Sequence, residues 1–216
     1  MGSHLPPLFS ERVNVVIFYD FEVFKEDWLA VFIDVTRKTE QVIVNNLDEL
    51  KALYEANTSN IWVGFNNRHY DQYIMKGILL GMNPKRINDW IILEKREGWQ
   101  FSSVFNKVPM TNYDVMPNPP VGLKTMEGFL GSNIKETGVP FDINRKLTKA
   151  EIEETIKYCR HDVEQTIKIF LEKIDEFKGM VELAHHFELI SDKEKGELTN
   201  LILNDALLID KYFKKN

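Results

Sequence analysis

Cysteine is nearly missing from this chain: Cys159 is the single one among 216 residues. An internal disulfide framework is therefore excluded, and a cytoplasmic location is the expectation. No apolar run approaches the roughly 20 residues that a membrane-spanning helix needs, and the N-terminus lacks the charged-then-apolar pattern of a secretory leader. Also absent is a glycine-rich loop of the G-x-x-x-x-G-K-[ST] type, which argues against a nucleoside-triphosphate switch. His185-His186 with one cysteine offers no zinc spacing. Cys159 falls on an apolar helix face with no basic neighbour evident, so it does not read as a nucleophile. Positive charge is in short supply too: 27 Lys and Arg face 33 Asp and Glu, a net charge of −6. That balance argues against a protein that coats nucleic acid, but not against an enzyme that uses several carboxylates at a nucleic-acid end.

What is present is a globular composition with one substantial core. Met1-Gly2-Ser3-His4 reads as a cloning remnant, and residues 1–10 as a leader. Val13 to Tyr19 is almost continuously apolar and β-branched or aromatic, the pattern of a strand buried on both faces, and it ends at Asp20-Phe21-Glu22. Trp28 to Val35 and Gln41 to Asn45 follow at spacings that suit an antiparallel meander. A helix is predicted over Leu47 to Ala56, then a buried strand Ile61 to Phe65. Asn66-Asn67 could cap a helix beginning near His69 and stopping at Gly81. A helix from Pro84 to about Trp99, a strand from Thr111 to Met116 and a short helix Leu123 to Leu130 come next. Thr148-Lys-Ala-Glu151 is a capping box that opens a long helix through Ile174, and Ser191 to Glu194 is a second one before a final helix to about Phe213. The element order predicts an α/β domain over residues 11–175, with a mixed central sheet flanked by helices, and a helical extension over 176–216.

Four acids stand out. Asp20 and Glu22, two apart on a strand, point to one side while Phe21 points to the other. Asp71 lies in a helix first turn, and Asp162 sits in mid-helix, where Asp is a poor former. Tyr158 precedes Asp162 by four residues and shares its helix face. Each acid alone has an ordinary explanation, such as a strand end, a solvated side chain or a helix dipole.

Together, Asp20-Phe21-Glu22, then Gly64-Phe65-Asn66-Asn67 leading to Asp71, then Tyr158-x-x-x-Asp162 resemble the three motifs of the DEDD (DnaQ-like) superfamily of 3′→5′ exonucleases. The tyrosine marks the DEDDy branch. Lys157 stands where the histidine branch has its histidine, and the adjacent His161 is not that residue. The match extends over residues 13–175, and its wording is similar to the proofreading domains of phage-type DNA polymerases.

The resemblance implies an RNase H-like fold and a phosphodiesterase using two divalent metals, Mg²⁺ or Mn²⁺, for which hard oxygen ligands are suited. By resemblance, Asp20 would bridge both ions, Glu22 and Asp162 would complete one site, Asp71 would act largely through water, and Tyr158 would orient the attacking water. Asn67 would contact the substrate strand or else cap the helix. Lys135, Arg145 and Lys146 could meet backbone phosphates or simply line a solvated loop. The implied partners are single-stranded DNA or frayed 3′ ends and a DNA polymerase domain, in cis or in trans. The setting would be the cytoplasm, the host's if the gene is a phage's. An RNA-trimming exonuclease of the same fold and a non-catalytic nucleic-acid-binding module are the competing readings. Retention of all four acids and the tyrosine disfavours the second.

Overall fold

The computed structural model describes residues 16–132 and 137–187. Its strands are β1 (Val16–Val23), β2 (Trp28–Asp34), β3 (Thr39–Val44), β4 (Ile61–Gly64) and β5 (Thr111–Asp114). Its α-helices are α1 (Leu47–Ala56), α2 (Asp71–Leu79), α3 (Pro84–Ile92), α4 (Leu123–Phe129), α5 (Lys149–Glu172) and α6 (Ile174–His186). The strands form one sheet in the order β3-β2-β1-β4-β5. The β1–β2 and β2–β3 pairs are antiparallel, while β1–β4 and β4–β5 are parallel. This is the expected α/β arrangement, a mixed sheet with helices on both faces. Among the described residues no helix is long and apolar enough to cross a membrane.

The central strand divides its side chains between two cores, as the period of two requires. Val16 and Phe18 pack with Cys159, Val163, Ile167 and Phe170 of α5. Ile17, Tyr19, Phe21 and Val23 pack on the opposite side with Leu50, Ile74, Ile78 and Ile87 from α1, α2 and α3. Fully buried side chains such as Phe18, Ile74 and Ile167 each stabilise the fold by about 1.5–3 kcal/mol relative to exposure. The strand does not stop at the acids. It continues to Val23, with Asp20 opposite Val31 and Glu22 opposite Leu29. Phe21 and Val23 are buried on the far face, which holds the chain extended while Asp20 and Glu22 emerge on the α5 side.

Two helix ends differ from expectation. The helix predicted over Pro84 to Trp99 ends at Ile92. Lys95 adopts φ 54° and reverses the chain, Trp90 Nε1 donates to the Glu97 carbonyl at 3.1 Å, and Arg96 stacks 4.2 Å above the Trp90 ring. The long helix breaks at Lys173, and α6 turns back onto the core. There Phe177 and Val181 are buried, with Phe177 edge-on to Tyr113 at 4.8 Å. The packed unit therefore runs past residue 175 into the expected extension. The capping box at Ser191 and the helix after it lie outside the described residues, as does the start of the first strand at Val13.

The start of α5 matches its sequence signal. Thr148 Oγ1 accepts the Glu151 N–H at 3.3 Å, and Glu151 Oε2 accepts the Thr148 N–H at 2.7 Å. Arg145 clasps both Glu151 oxygens at 2.8 Å. This ion pair and the bonds from Thr148 hold the Glu151 carboxyl down to about 2.

Candidate active site

The sheet and α5 bring the four acids together. Asp20 and Glu22 leave β1 on the face that α5 covers. Cys159 of α5 donates its thiol to Asp20 Oδ2 at 3.3 Å and approaches the Asp20 carbonyl at 3.5 Å. The ligand atoms of Asp20, Glu22 and Cys159 lie within 4.8 Å of one another. Asp71 opens α2, and its Oδ1 accepts the Phe21 N–H at 3.1 Å, between the two acids of β1. Asp162 projects one turn beyond Tyr158 on α5. Glu22, Asp71 and Asp162 are buried and Asp20 is partly so.

Electrostatics confirm that these groups feel one another. Burial pushes the Asp20 carboxyl far above the usual carboxylate range, and the charges of Asp71, Glu22 and Asp162 push it further. Glu22 is raised by burial and then by Asp162 and Asp71, while Lys124 draws it down. Burial lifts Asp71 to about 7, against the opposing pull of its bonds to the backbone N–H groups of Phe21 and Asp71. Asp162 is raised by burial and restrained by Lys124. Buried carboxylates that repel one another favour protonation until a cation arrives. Two groups among the described residues could each hold a metal ion, Asp20 with Glu22 and Cys159, and Asp162 with Glu127 and His161, and carboxylate oxygens predominate in both. The residues present therefore fit a metal site.

Tyr158 is half-buried and faces the same carboxylates. Burial first, then the charges of Asp162 and Glu22, push its hydroxyl well above its ordinary value. It is a hydrogen-bond donor throughout the neutral range. The Cys159 thiol is likewise pushed up by burial and by Asp20 and Glu22, so it stays a neutral donor, as its apolar position suggested.

Asn67 does not hold either expected role. It is fully buried, and its Nδ2 donates to the carbonyls of Tyr113 and Trp62 at 3.3 and 3.5 Å. A side chain enclosed in this way neither reaches a substrate strand nor caps α2, whose N-cap is Tyr70 without a side-chain bond. Instead the turn is closed by backbone: the Asn66 carbonyl accepts from His69 and Tyr70, and the Asn67 carbonyl from Gln72, each at 3.1 Å. Asn66 sits at φ 61°, a left-handed conformation that Asn tolerates better than most residues. Asp114 at the end of β5 clamps the outer side of this loop, its Oδ1 accepting from Asn66 N at 2.9 Å and its Oδ2 from Arg68 N at 3.1 Å. The sequence reading missed Asp114, because an acid at a strand end carries no signal of which loop it will meet.

It also missed Lys124, Glu127 and His161. Lys124 Nζ lies 2.8 Å from Asp162 Oδ1, 3.3 Å from Glu127 Oε1 and 4.7 Å from the centre of the Tyr158 ring. Glu127 is completely buried, and its Oε2 stands 3.6 Å from His161 Nε2. In sequence, Lys124 and Glu127 are an i,i+3 pair, indistinguishable from a solvated surface pair. Of the three basic residues expected near phosphate, Arg145 is engaged with Glu151, Lys146 is exposed, and Lys135 lies outside the described residues. No protein-family model matches this sequence, and no similar curated protein was found.

Proposed function

We propose that this chain is a metal-dependent 3′→5′ exonuclease of the DEDDy type, acting on single-stranded or frayed DNA ends. The observation that carries the reading is the convergence of Asp20, Glu22, Asp71 and Asp162 from β1, α2 and α5 onto one buried cluster with Tyr158 beside it. An RNase H-like fold is supported by the strand order β3-β2-β1-β4-β5, with the first three strands antiparallel and the last two parallel to β1.

Asp20, Glu22, Asp71 and Asp162 would hold two divalent ions, Mg²⁺ or Mn²⁺. When bound, such ions supply charge neutralisation at the attacking and leaving oxygens of a phosphodiester. The chain's own residues do the rest. Tyr158, protonated and fixed on the helix, donates a hydrogen bond that orients a water oxygen toward phosphorus. The Phe21 N–H fixes the Asp71 carboxylate, and the Cys159 thiol fixes one oxygen of Asp20. Water adds to phosphorus and gives up a proton to solvent, the bond from phosphorus to the 3′ oxygen of the preceding nucleotide breaks, and that oxygen takes up a proton, leaving a 3′ hydroxyl on the strand and releasing a nucleoside 5′-monophosphate. The work fits proofreading beside a DNA polymerase, in cis or in trans, in a cytoplasmic setting.

The deciding assay uses 5′-labelled single strands of DNA and of RNA, with Mg²⁺, with Mn²⁺ and with chelator. A ladder shortening from the 3′ end on DNA, lost with chelator and in Asp20→Ala, is the expected result. Faster shortening of RNA than of DNA would reassign the substrate. No shortening with either metal would leave a binding module in place of an enzyme.

A further inference from the structure

We propose that Lys124 is an internal cation that occupies Asp162 when metal is absent, and that the buried Glu127, backed by His161, is the positioning residue that draws it away. This inference rests on the exonuclease reading only in taking Asp162 as a metal ligand. The Lys124 ammonium is shared between two carboxylates from different elements: Asp162 of α5 at 2.8 Å and Glu127 of α4 at 3.3 Å. The contact to Asp162 has the length of a charge-assisted hydrogen bond, and the one to Glu127 is looser. A lysine that is 30% exposed on a flexible stem can move between these two acceptors, whereas both carboxylates are buried.

Glu127 is built for the second position. No part of it is exposed, and a carboxylate buried that completely is costly unless a cation faces it. Its Oε1 already faces Lys124. Its Oε2 has no hydrogen-bond partner, and neither has the equally buried His161 Nε2 that it faces at 3.6 Å. Two buried polar atoms without hydrogen-bond partners, facing each other just beyond bonding distance, mark a contact that a small side-chain turn would close. Closing it would fix the Glu127 carboxylate in place beside the ammonium. A metal ion at Asp162 and the ammonium at Asp162 compete for one carboxylate, so each weakens the other by the same factor.

Mn²⁺ binding, followed by the loss of the free-ion electron paramagnetic resonance signal, tests this without reference to turnover. In Lys124→Met the competitor is gone, and Mn²⁺ should bind about threefold to tenfold more tightly than in the wild type. In Glu127→Gln the lysine is left to Asp162 alone, and affinity should fall by a similar factor. The double variant separates positioning from simple loss of charge: with no lysine to hold, Glu127→Gln should change affinity by less than about twofold. An equal fall in both backgrounds would show that Glu127 acts only as a nearby charge, and the proposal would be overturned. It would be overturned equally by a Lys124→Met protein that binds Mn²⁺ no more tightly. Melting curves identify any variant that has not folded, and Lys124→Met, at a partly exposed position, keeps the test open if Glu127→Gln does not fold. Wild-type protein that binds Mn²⁺ and trims DNA while these variants fail their predictions would reject this inference and leave the exonuclease reading intact. Wild-type protein that binds no Mn²⁺ would reject both.

Discussion

Asp71 Oδ1 accepts the backbone N–H of Phe21 at 3.1 Å, a bond between residues 50 positions apart. It ties the first turn of α2 to β1 midway between Asp20 and Glu22. The register of the two motifs is thus set by a main-chain donor, which survives any substitution at Phe21 other than proline. That donor favours the charged carboxylate and so opposes the burial that lifts Asp71 to about 7.

Metal-free stability should fall as pH rises. A carboxyl with a value near 4 in the unfolded chain and about 7 in the fold holds its proton more tightly when folded. Between those values the native state therefore binds more protons than the unfolded state, and stability declines with increasing pH across that window. Asp20, Glu22 and Asp162 are shifted in the same direction and should reinforce the trend. Melting temperature in chelator is expected to be higher at pH 5 than at pH 8, and added Mn²⁺ should raise it more at pH 8 than at pH 5. A melting temperature in chelator that rises steadily from pH 5 to 8 would contradict the account.

Tyr158→Phe should slow trimming by about 10- to 100-fold while Mn²⁺ affinity stays within about twofold of wild type. The hydroxyl is raised by burial and by its acidic neighbours, so it keeps its proton throughout the assay range. The pH–rate profile of the wild type should accordingly show no descending limb from Tyr158 between about pH 6 and 9. Parallel loss of metal binding and activity would mean that the ring is structural.

Gly64→Ala should destabilise the fold by about 1–3 kcal/mol. A Cβ at that position would meet Asn67 Cβ at 2.7 Å and its Cγ at 3.1 Å. Asn67 is enclosed, with its amide bonded to the carbonyls of Trp62 and Tyr113, so it has little room to yield. Displacing it would shift the turn that presents Asp71. Urea denaturation and the trimming assay should both register the change, and a variant with wild-type stability would show that Asn67 can relocate.

Much of the fold was legible because its signals are local. The apolar run before Asp20, the alternation that separates Phe21 from the two acids and the capping box at Thr148 all act within a few residues, and the structure carries the run from Val16 onward and both of the others. Where expectation failed, contacts outside any periodic pattern decided. The helix expected to reach Trp99 ends at Ile92, where the chain folds back on Trp90. Asn67, a reasonable cap or substrate contact by its position, is enclosed by β4 and β5.

The sequence by itself determined which residues carry the chemistry to be tested. Acid identity and spacing within a strand or helix place Asp20 with Glu22, and Tyr158 with Asp162, whatever surrounds them. Only the tertiary structure decided how those pairs meet. It laid α5 across the even-numbered face of β1, held Asp71 to the Phe21 N–H, and set Lys124 and Glu127 of α4 against Asp162. The physical reason is range. Backbone periodicity orients side chains a few residues apart, whereas burial and charge act between groups that become neighbours only when separate elements pack.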